Sequence, residues 1–537
     1  MVERFFPVVC DTAGRESRVL RVHHAIYFVL LTVLVGSQVV SKFMMSGMQI
    51  LLALNWLAEG VYIIASGRRG TRPAGNSRWL LFAFLLLMGI HLAWLIGTDN
   101  IAYGIDDIFR KLPLLAIPLV LLTSRPLNRW QRNWLMFFFV ATVLVATVIG
   151  SVRLLTIPDL PYRDTVPFIS HIRFSLNVCF AVVLLLWNAA STDGKLSTAR
   201  RIVPLLLIAW LVFFLFVLRS YTAFFVIFVT LWLMVPIYWR RMGNGRRWVL
   251  AALVLATASF AATVGFYARS YFDTGSETAM LPERTACGNA YTHASDGLVE
   301  NGHMVNNYVC SEELCRQWST RSSMGIYDTT PNSYTVYPTL VRYLNAMGLT
   351  KDSAGVAALS DLDVERIEKG VANPVYDSGP DLKKMCYTLF FEYENYRHFG
   401  NIRNSSMLER LELWRGAWLV FCDNPVFGVG TGDGVDELHR RLQADGSQIA
   451  DTQKHAHNQY LSFLVAFGLV GFALIAAAFV LAFRKMALRR FPALLAMVII
   501  ILLSFISEDT LETLAGCVLC TVIPCLLART SSNHEPE

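Results

Sequence analysis

Charge is scarce in this sequence. Only 16% of its 537 residues are charged, against 54% hydrophobic residues and a mean hydropathy of +0.45. A soluble globular domain carries roughly 25% charged residues, so that class is excluded and a polytopic membrane protein remains. Metal-binding patterns are missing too: the sequence shows no cluster of His, Cys, Asp and Glu with metal-ligand spacing, so neither metal nor cofactor is expected. Cys517 and Cys520 form a C-x-x-C, but within an apolar run and outside any redox-fold context, which makes them packing residues. No small-residue cleavage site ends the first apolar run, so that run is expected to be retained as a span. The net charge of +7 does not point to nucleic acid, because Arg and Lys lie in clusters between apolar runs instead of on one patch.

What the chain has in abundance is apolar runs. About twelve reach bilayer-crossing length when short or tilted ones are admitted. Five basic clusters fall on one side of the alternation: Arg68, Arg69, Arg72 and Arg78; Arg125, Arg129 and Arg132; Lys195, Arg200 and Arg201; Arg240, Arg241, Arg246 and Arg247; Arg484, Lys485, Arg489 and Arg490. The positive-inside rule makes that side cytoplasmic. The expected organisation is an all-α polytopic membrane protein. Residues 1–266 carry helices one to nine, 267–453 form a large, partly helical loop outside the cytoplasm, and 454–537 carry helices ten to twelve. Within the loop, Ser405–Pro425 reads as an amphipathic helix with Leu408, Leu411, Trp414, Trp418 and Phe421 at three- and four-residue spacing. The glycine-rich VFGVGTGDG after it is a turn whose amides are available to an anion. Cys287, Cys310, Cys315, Cys386 and Cys422 lie in the loop, where an oxidising compartment permits bridges, with Cys422 expected as a buried thiol.

The most informative stretch is Lys454–Gly471, KHAHNQYLSFLVAFGLVG, in which a polar loop runs directly into an apolar helix. A helix N-terminus attracts anions and disfavours a protonated imidazole nearby, so His457 at that mouth is expected to be neutral and able to accept a proton. His455 and Asn458 are secondary candidates. Gly468 follows His457 by eleven residues, and a continuous helix at about 100° per residue would put both on one face. Cations on the outer side run against the positive-inside bias and need a reason. Arg219, Arg173, Arg110 and Lys111 lie there by alternation, and Arg410 and Arg415 lie on the loop helix. Such a group suits a pyrophosphate, whose oxygens match the arginine fork two at a time.

His-Asn, nine residues, then Gly-x-x-Gly resembles the O-antigen ligase and polymerase superfamily of bacterial membrane glycosyltransferases. The R-x-x-x-W and NPVFGVGTG within Arg410–Gly432, and LRSYTAF around Arg219, are similar to that family's further motifs. The resemblance is specific over Leu408–Gly471; the segment 273–400 is longer than the family's loop and matches nothing in it. It implies metal-independent transfer of a glycan from undecaprenyl pyrophosphate to a hydroxyl of lipid A core at the periplasmic face of the bacterial inner membrane. His457 would be the general base, and Arg219, Arg410 and Arg173 would bind the pyrophosphate. An O-antigen polymerase or a protein O-oligosaccharyltransferase would share the motif. A glycolipid transporter would also gather arginines at lipid phosphates, but the inverted repeats that favour a transporter are not evident.

Overall fold

The computed structural model describes residues 17–531 apart from 69–74, 76, 159, 191–197, 241–245, 276–281, 295–296, 332–333 and 380. Arg69, Arg72, Lys195 and Arg241 thus lie outside the described residues. Among the described residues the fold is helical almost throughout, with one short hairpin, β1 (Val299–Glu300) and β2 (His303–Met304). In chain order the first helices are α1 (Arg18–Val40), α2 (Lys42–Ala65), α3 (Ser77–Ala93), α4 (Ile101–Lys111), α5 (Pro113–Thr123), α6 (Arg129–Thr156) and α7 (His171–Ala190). Next come α8 (Thr198–Val217), α9 (Tyr221–Tyr238), α10 (Arg246–Phe272), α11 (Ser311–Arg321), α12 (Val336–Ala346), α13 (Ser353–Ala357) and α14 (Asp361–Glu368). The last are α15 (Pro374–Ser378), α16 (Asp381–Phe399), α17 (Ser406–Asp423), α18 (Gly434–Ala444), α19 (Gln459–Lys485), α20 (Pro492–Ser507) and α21 (Leu514–Ser531).

Local chemistry sets these boundaries. Ser41 ends α1 and caps α2, its hydroxyl accepting from the Met44 amide, so one residue makes the tight turn between them. Asn128 and Gln131 form a reciprocal capping box at the start of α6. Among the described residues, seven helices are long and apolar enough to cross a membrane: α1, α2, α6, α7, α9, α10 and α19. Shorter apolar helices are α3, the Ile202–Val217 part of α8, α20 and the Leu514–Arg529 part of α21. This is an all-α membrane protein.

The chain packs as two compact units, residues 1–243 with 410–537, and residues 244–409. The first is built on an apolar core that includes Phe139, Phe174, Phe180, Phe214 and Phe467, with α3 packed on α19, α5 on α21 and α20 on α7. The second has its own core around Trp318, Leu340, Tyr343 and Leu344. Its buried Glu300 is paired with Arg342 at 2.8 Å and accepts from Asn373.

Four local expectations are corrected. Helix α19 is not continuous from His457 to Gly468: it breaks at Gly468 (φ 59°, ψ −165°), so the three-turn facing argument fails. The break is filled by the segment before α18. Val429 and Gly430 donate to the carbonyls of Val465 and Ala466, both at 2.9 Å, and Leu469 and Val470 donate to the carbonyls of Pro425 and Val426 at 2.8 and 3.1 Å. These four bonds pair backbone groups on both sides of the break. A side chain on Gly468 would run into the Val426 carbonyl, and one on Gly428 into Ala466, so these glycines allow backbone to lie on backbone. The amides of Gly428 to Gly432 are all engaged within the protein, and the glycine-rich turn presents none of them to an anion. In α17 the buried face is Leu413, Gly416, Ala417, Val420 and Phe421, while Leu411 and Trp418 are exposed. Gly416 sets that rotation, because it lets Leu438 and Leu442 of α18 approach closely. Cys422 is exposed, not buried, and the nine described cysteines are all free thiols.

Candidate active site

The helix that begins at Gln459 is capped by Asn458, whose side-chain oxygen accepts from the amides of Tyr460 and Leu461 at 3.1 and 3.2 Å. The sequence candidate Asn458 therefore works as a helix cap. His457 precedes it in a left-handed conformation (φ 50°) that a non-glycine residue adopts only when held there. What holds it is Asp509, in the short loop between α20 and α21. Its two carboxylate oxygens accept from the backbone amides of His457 (2.6 Å) and Asn458 (3.1 Å), and one also takes the Ser462 hydroxyl at 2.7 Å.

The neighbouring residue of the same loop gathers the arginines. Glu508 accepts from Arg410 of α17 at 2.9 Å, and its other oxygen lies 3.9 Å from Arg173 of α7. Arg173 also donates to the Asp509 carbonyl at 3.4 Å. His457, Asn458, Arg173 and Arg410 are thus drawn together by two consecutive carboxylates. Burial, with Arg410, His455, Lys454 and Arg173 nearby, lowers the His457 imidazole from 6.5 to about 4, which keeps it neutral at neutral pH. Burial raises the Glu508 carboxyl above the usual range, with both arginines pulling the other way.

Arg219 joins at one remove. Its guanidinium lies 5.6 Å over the ring of Tyr162, whose edge meets His171 at 5.9 Å, and His171 is two residues before Arg173. Arg219 occupies the left-handed position (φ 48°) that closes α8: Arg219 donates to the Phe216 carbonyl and Ser220 to that of Leu215. Glycine normally stands at that position in this motif.

The remaining candidates are placed elsewhere. Lys111 is buried between Asp107, at 2.5 and 2.6 Å, and Glu512, at 2.7 Å. The two carboxylates outweigh the effect of burial on Lys111 and raise its pKa, while burial and Glu512 push Asp107 up to about 7. Removing one member of such a buried set costs roughly 3–5 kcal/mol, so Lys111 is a fastener of α4 to the acidic loop and not an open phosphate ligand. Arg415 is held by Glu412 at 2.8 Å and Asp445 at 2.9 Å, tying α17 to the end of α18, outside the cluster. Arg110 pairs with Asp106 at 3.1 Å and lies 5.0 Å over Tyr103, whose hydroxyl is 3.3 Å from His455. Tyr103, Asp107, Lys111, His455, Ser462 and Glu512 help line a cavity of about 50 Å³ beside the cluster. Among the described residues, no group of His, Cys, Asp and Glu is arranged to hold a metal.

The residues that sequence reasoning missed are Glu508, Asp509 and Glu512. Their signal was available: three carboxylates in the six residues Ser507–Glu512, set between two apolar runs. Acidic groups at the end of a span need partners: for Glu508 these are Arg410 and Arg173, and for Glu512 it is Lys111.

Residues 369–476 match the family model described as O-antigen ligase. That segment holds Arg410, His455, His457, Asn458 and the Gly468 break, but not Arg173, Arg219 or the acidic loop. An uncharacterized protein of Haemophilus influenzae is 41% identical over 75 residues, which is 13% of this chain and 18% of that protein. The chain therefore spans under a fifth of the length of the curated relative it matches. The segment that carries the histidine and its broken helix is thus similar to the O-antigen ligase family.

Proposed function

We propose that this protein transfers a glycan from a polyprenyl pyrophosphate carrier to a hydroxyl acceptor at the outer face of the inner membrane, as an O-antigen ligase. In this reading twelve helices cross the bilayer and residues 267–453 lie on the periplasmic side. The carrier pyrophosphate meets Arg410, Arg173 and Arg219, and the acceptor hydroxyl meets His457. His457 takes the hydroxyl proton as the oxygen forms its bond to the anomeric carbon. The bond from that carbon to phosphate breaks, its electron pair leaves with the pyrophosphate, and the configuration inverts. The products are the glycosylated acceptor and the carrier pyrophosphate, and the histidine then gives its proton to water. The arginines stabilise charge where it grows, on the departing oxygen.

One observation carries this reading: a neutral imidazole, with its backbone pinned by Asp509, stands beside two arginines joined by Glu508. In water an imidazole near neutrality is a competent base toward a hydroxyl. The bound pyrophosphate would bring negative charge toward His457 and raise its proton affinity when the base is needed. Lipid A core is the acceptor of this proposal; a polymerase would use the same groups with a second lipid-linked glycan. The test is replacement of His457 by alanine in cells. Accumulated carrier-linked glycan with no attached product is expected, and unchanged surface polysaccharide would overturn the reading.

A further inference from the structure

Glu508 occupies the place that an anion between Arg410 and Arg173 would take. Each of its two oxygens faces a different guanidinium, at 2.9 and 3.9 Å. Its side chain is 5% exposed, whereas that of Arg410 is 32% exposed, so the arginine is reachable from outside and its present partner is not. The adjacent Asp509 cannot substitute, since both of its oxygens are committed to the amides of His457 and Asn458 and to Ser462. The Glu508 backbone is fixed as well, because its amide donates to the Ser504 carbonyl at 3.0 Å and closes α20. Exchange of the anion on Arg410 therefore asks for a turn of one side chain and no movement of the helix.

We propose that Glu508 is a built-in competitor for the diphosphate, holding the two arginines in register between turnovers and setting how tightly any phosphate is bound. This rests on the reading of the arginine pair as the diphosphate site. A diphosphate carries more charge than a carboxylate and has enough oxygens to engage both guanidinium forks, so it displaces Glu508. An anion that reaches only one arginine must exchange one pairing for another with no gain. After transfer, return of the carboxylate to Arg410 helps expel the spent carrier. Glu508 thereby exchanges ground-state affinity for release, which favours turnover where tight binding would not.

The experiment is titration of inorganic pyrophosphate into the purified full chain in detergent, followed by calorimetry, for the wild type and for Glu508→Gln, Glu508→Asp and Arg410→Ala. Glu508→Gln is expected to bind at least about tenfold tighter than wild type, with Glu508→Asp between the two, because the shorter carboxylate cannot reach both arginines. Arg410→Ala is expected to lose binding. Binding at or below wild-type strength in both Glu508 variants, with binding lost in Arg410→Ala, overturns the competitor and leaves the diphosphate site standing. Wild-type binding by Arg410→Ala overturns the site and the competitor with it. Should the Gln variant not fold, the Asp variant decides: tighter binding supports the proposal and equal binding refutes it.

Discussion

Lys111 and Arg410 carry the same charge and were both candidates in the sequence, Arg410 for the pyrophosphate and Lys111 as a secondary one, yet the fold treats them in opposite ways. Lys111 faces two carboxylates and is buried with them, so negative charge is in excess around it. Arg410 shares a single carboxylate with Arg173 and remains partly exposed, so its guanidinium keeps donors that a further anion can reach. The first arrangement is a closed fastening; the second has capacity for a further anion. What separates a structural cation from a binding one is the count of its acidic partners and their access to water, and neither can be read from the position of the cation in the chain.

The largest expected effect would break the closed side of this contrast. Replacing Lys111 by methionine leaves two buried carboxylates without their cation and should cost roughly 3–5 kcal/mol, read as a large drop in thermal midpoint. A midpoint within a degree or two of wild type would put Lys111 among the open cations. On the open side, Arg410→Lys keeps charge and loses the planar fork. Transfer should fall by roughly 10- to 100-fold, as one charge-assisted, two-pronged contact is lost, with the thermal midpoint nearly unchanged. Full activity in this variant would remove Arg410 from phosphate binding.

Arg219 sharpens the comparison by setting function against stability. Glycine in its left-handed position should stabilise the fold by about 1 kcal/mol, because it removes the backbone strain, while transfer falls. A destabilised Arg219→Gly would mean that the side chain is held for packing alone. The smallest effect concerns pH. His457 is held near 4, so the acid limb of kcat/KM should lie well below the ordinary imidazole value of 6.5. A lowered histidine favours the folded state above about 6.5, and that contribution is lost as pH falls toward 4. Arg410→Gln removes one of the charges that lower the histidine and should move the activity limb upward; an unmoved limb would mean that Arg410 does not act on His457.

Much of the site was legible in advance, and for identifiable reasons. His457 and Asn458 announce themselves because a polar pair at the mouth of an apolar helix must cap it or do chemistry. Arg173, Arg219 and Arg410 stand out because they oppose the charge bias of a membrane protein. Glu508 and Asp509 did not stand out, since their side-chain partners lie 47 residues or more away in the chain and a carboxylate between spans carries no local pattern. The break at Gly468 was hidden for another reason. Gly-x-x-G fits a straight, closely packed helix as well as a broken one, and only the docking of Pro425–Gly430 onto Val465–Val470 decides between them. The rotation of α17 escaped because its large residues were taken for its buried face, whereas it is Gly416 that lets α18 approach closely.

The most direct measurement is single-turnover transfer by purified protein with carrier-linked glycan and lipid A core, comparing wild type with His457→Ala while donor binding is followed separately. If the imidazole is the base, the chemical step should slow by roughly 100- to 10,000-fold with donor affinity changed only a few-fold. A chemical step of wild-type speed in His457→Ala, or a loss that lies wholly in donor affinity, would contradict it.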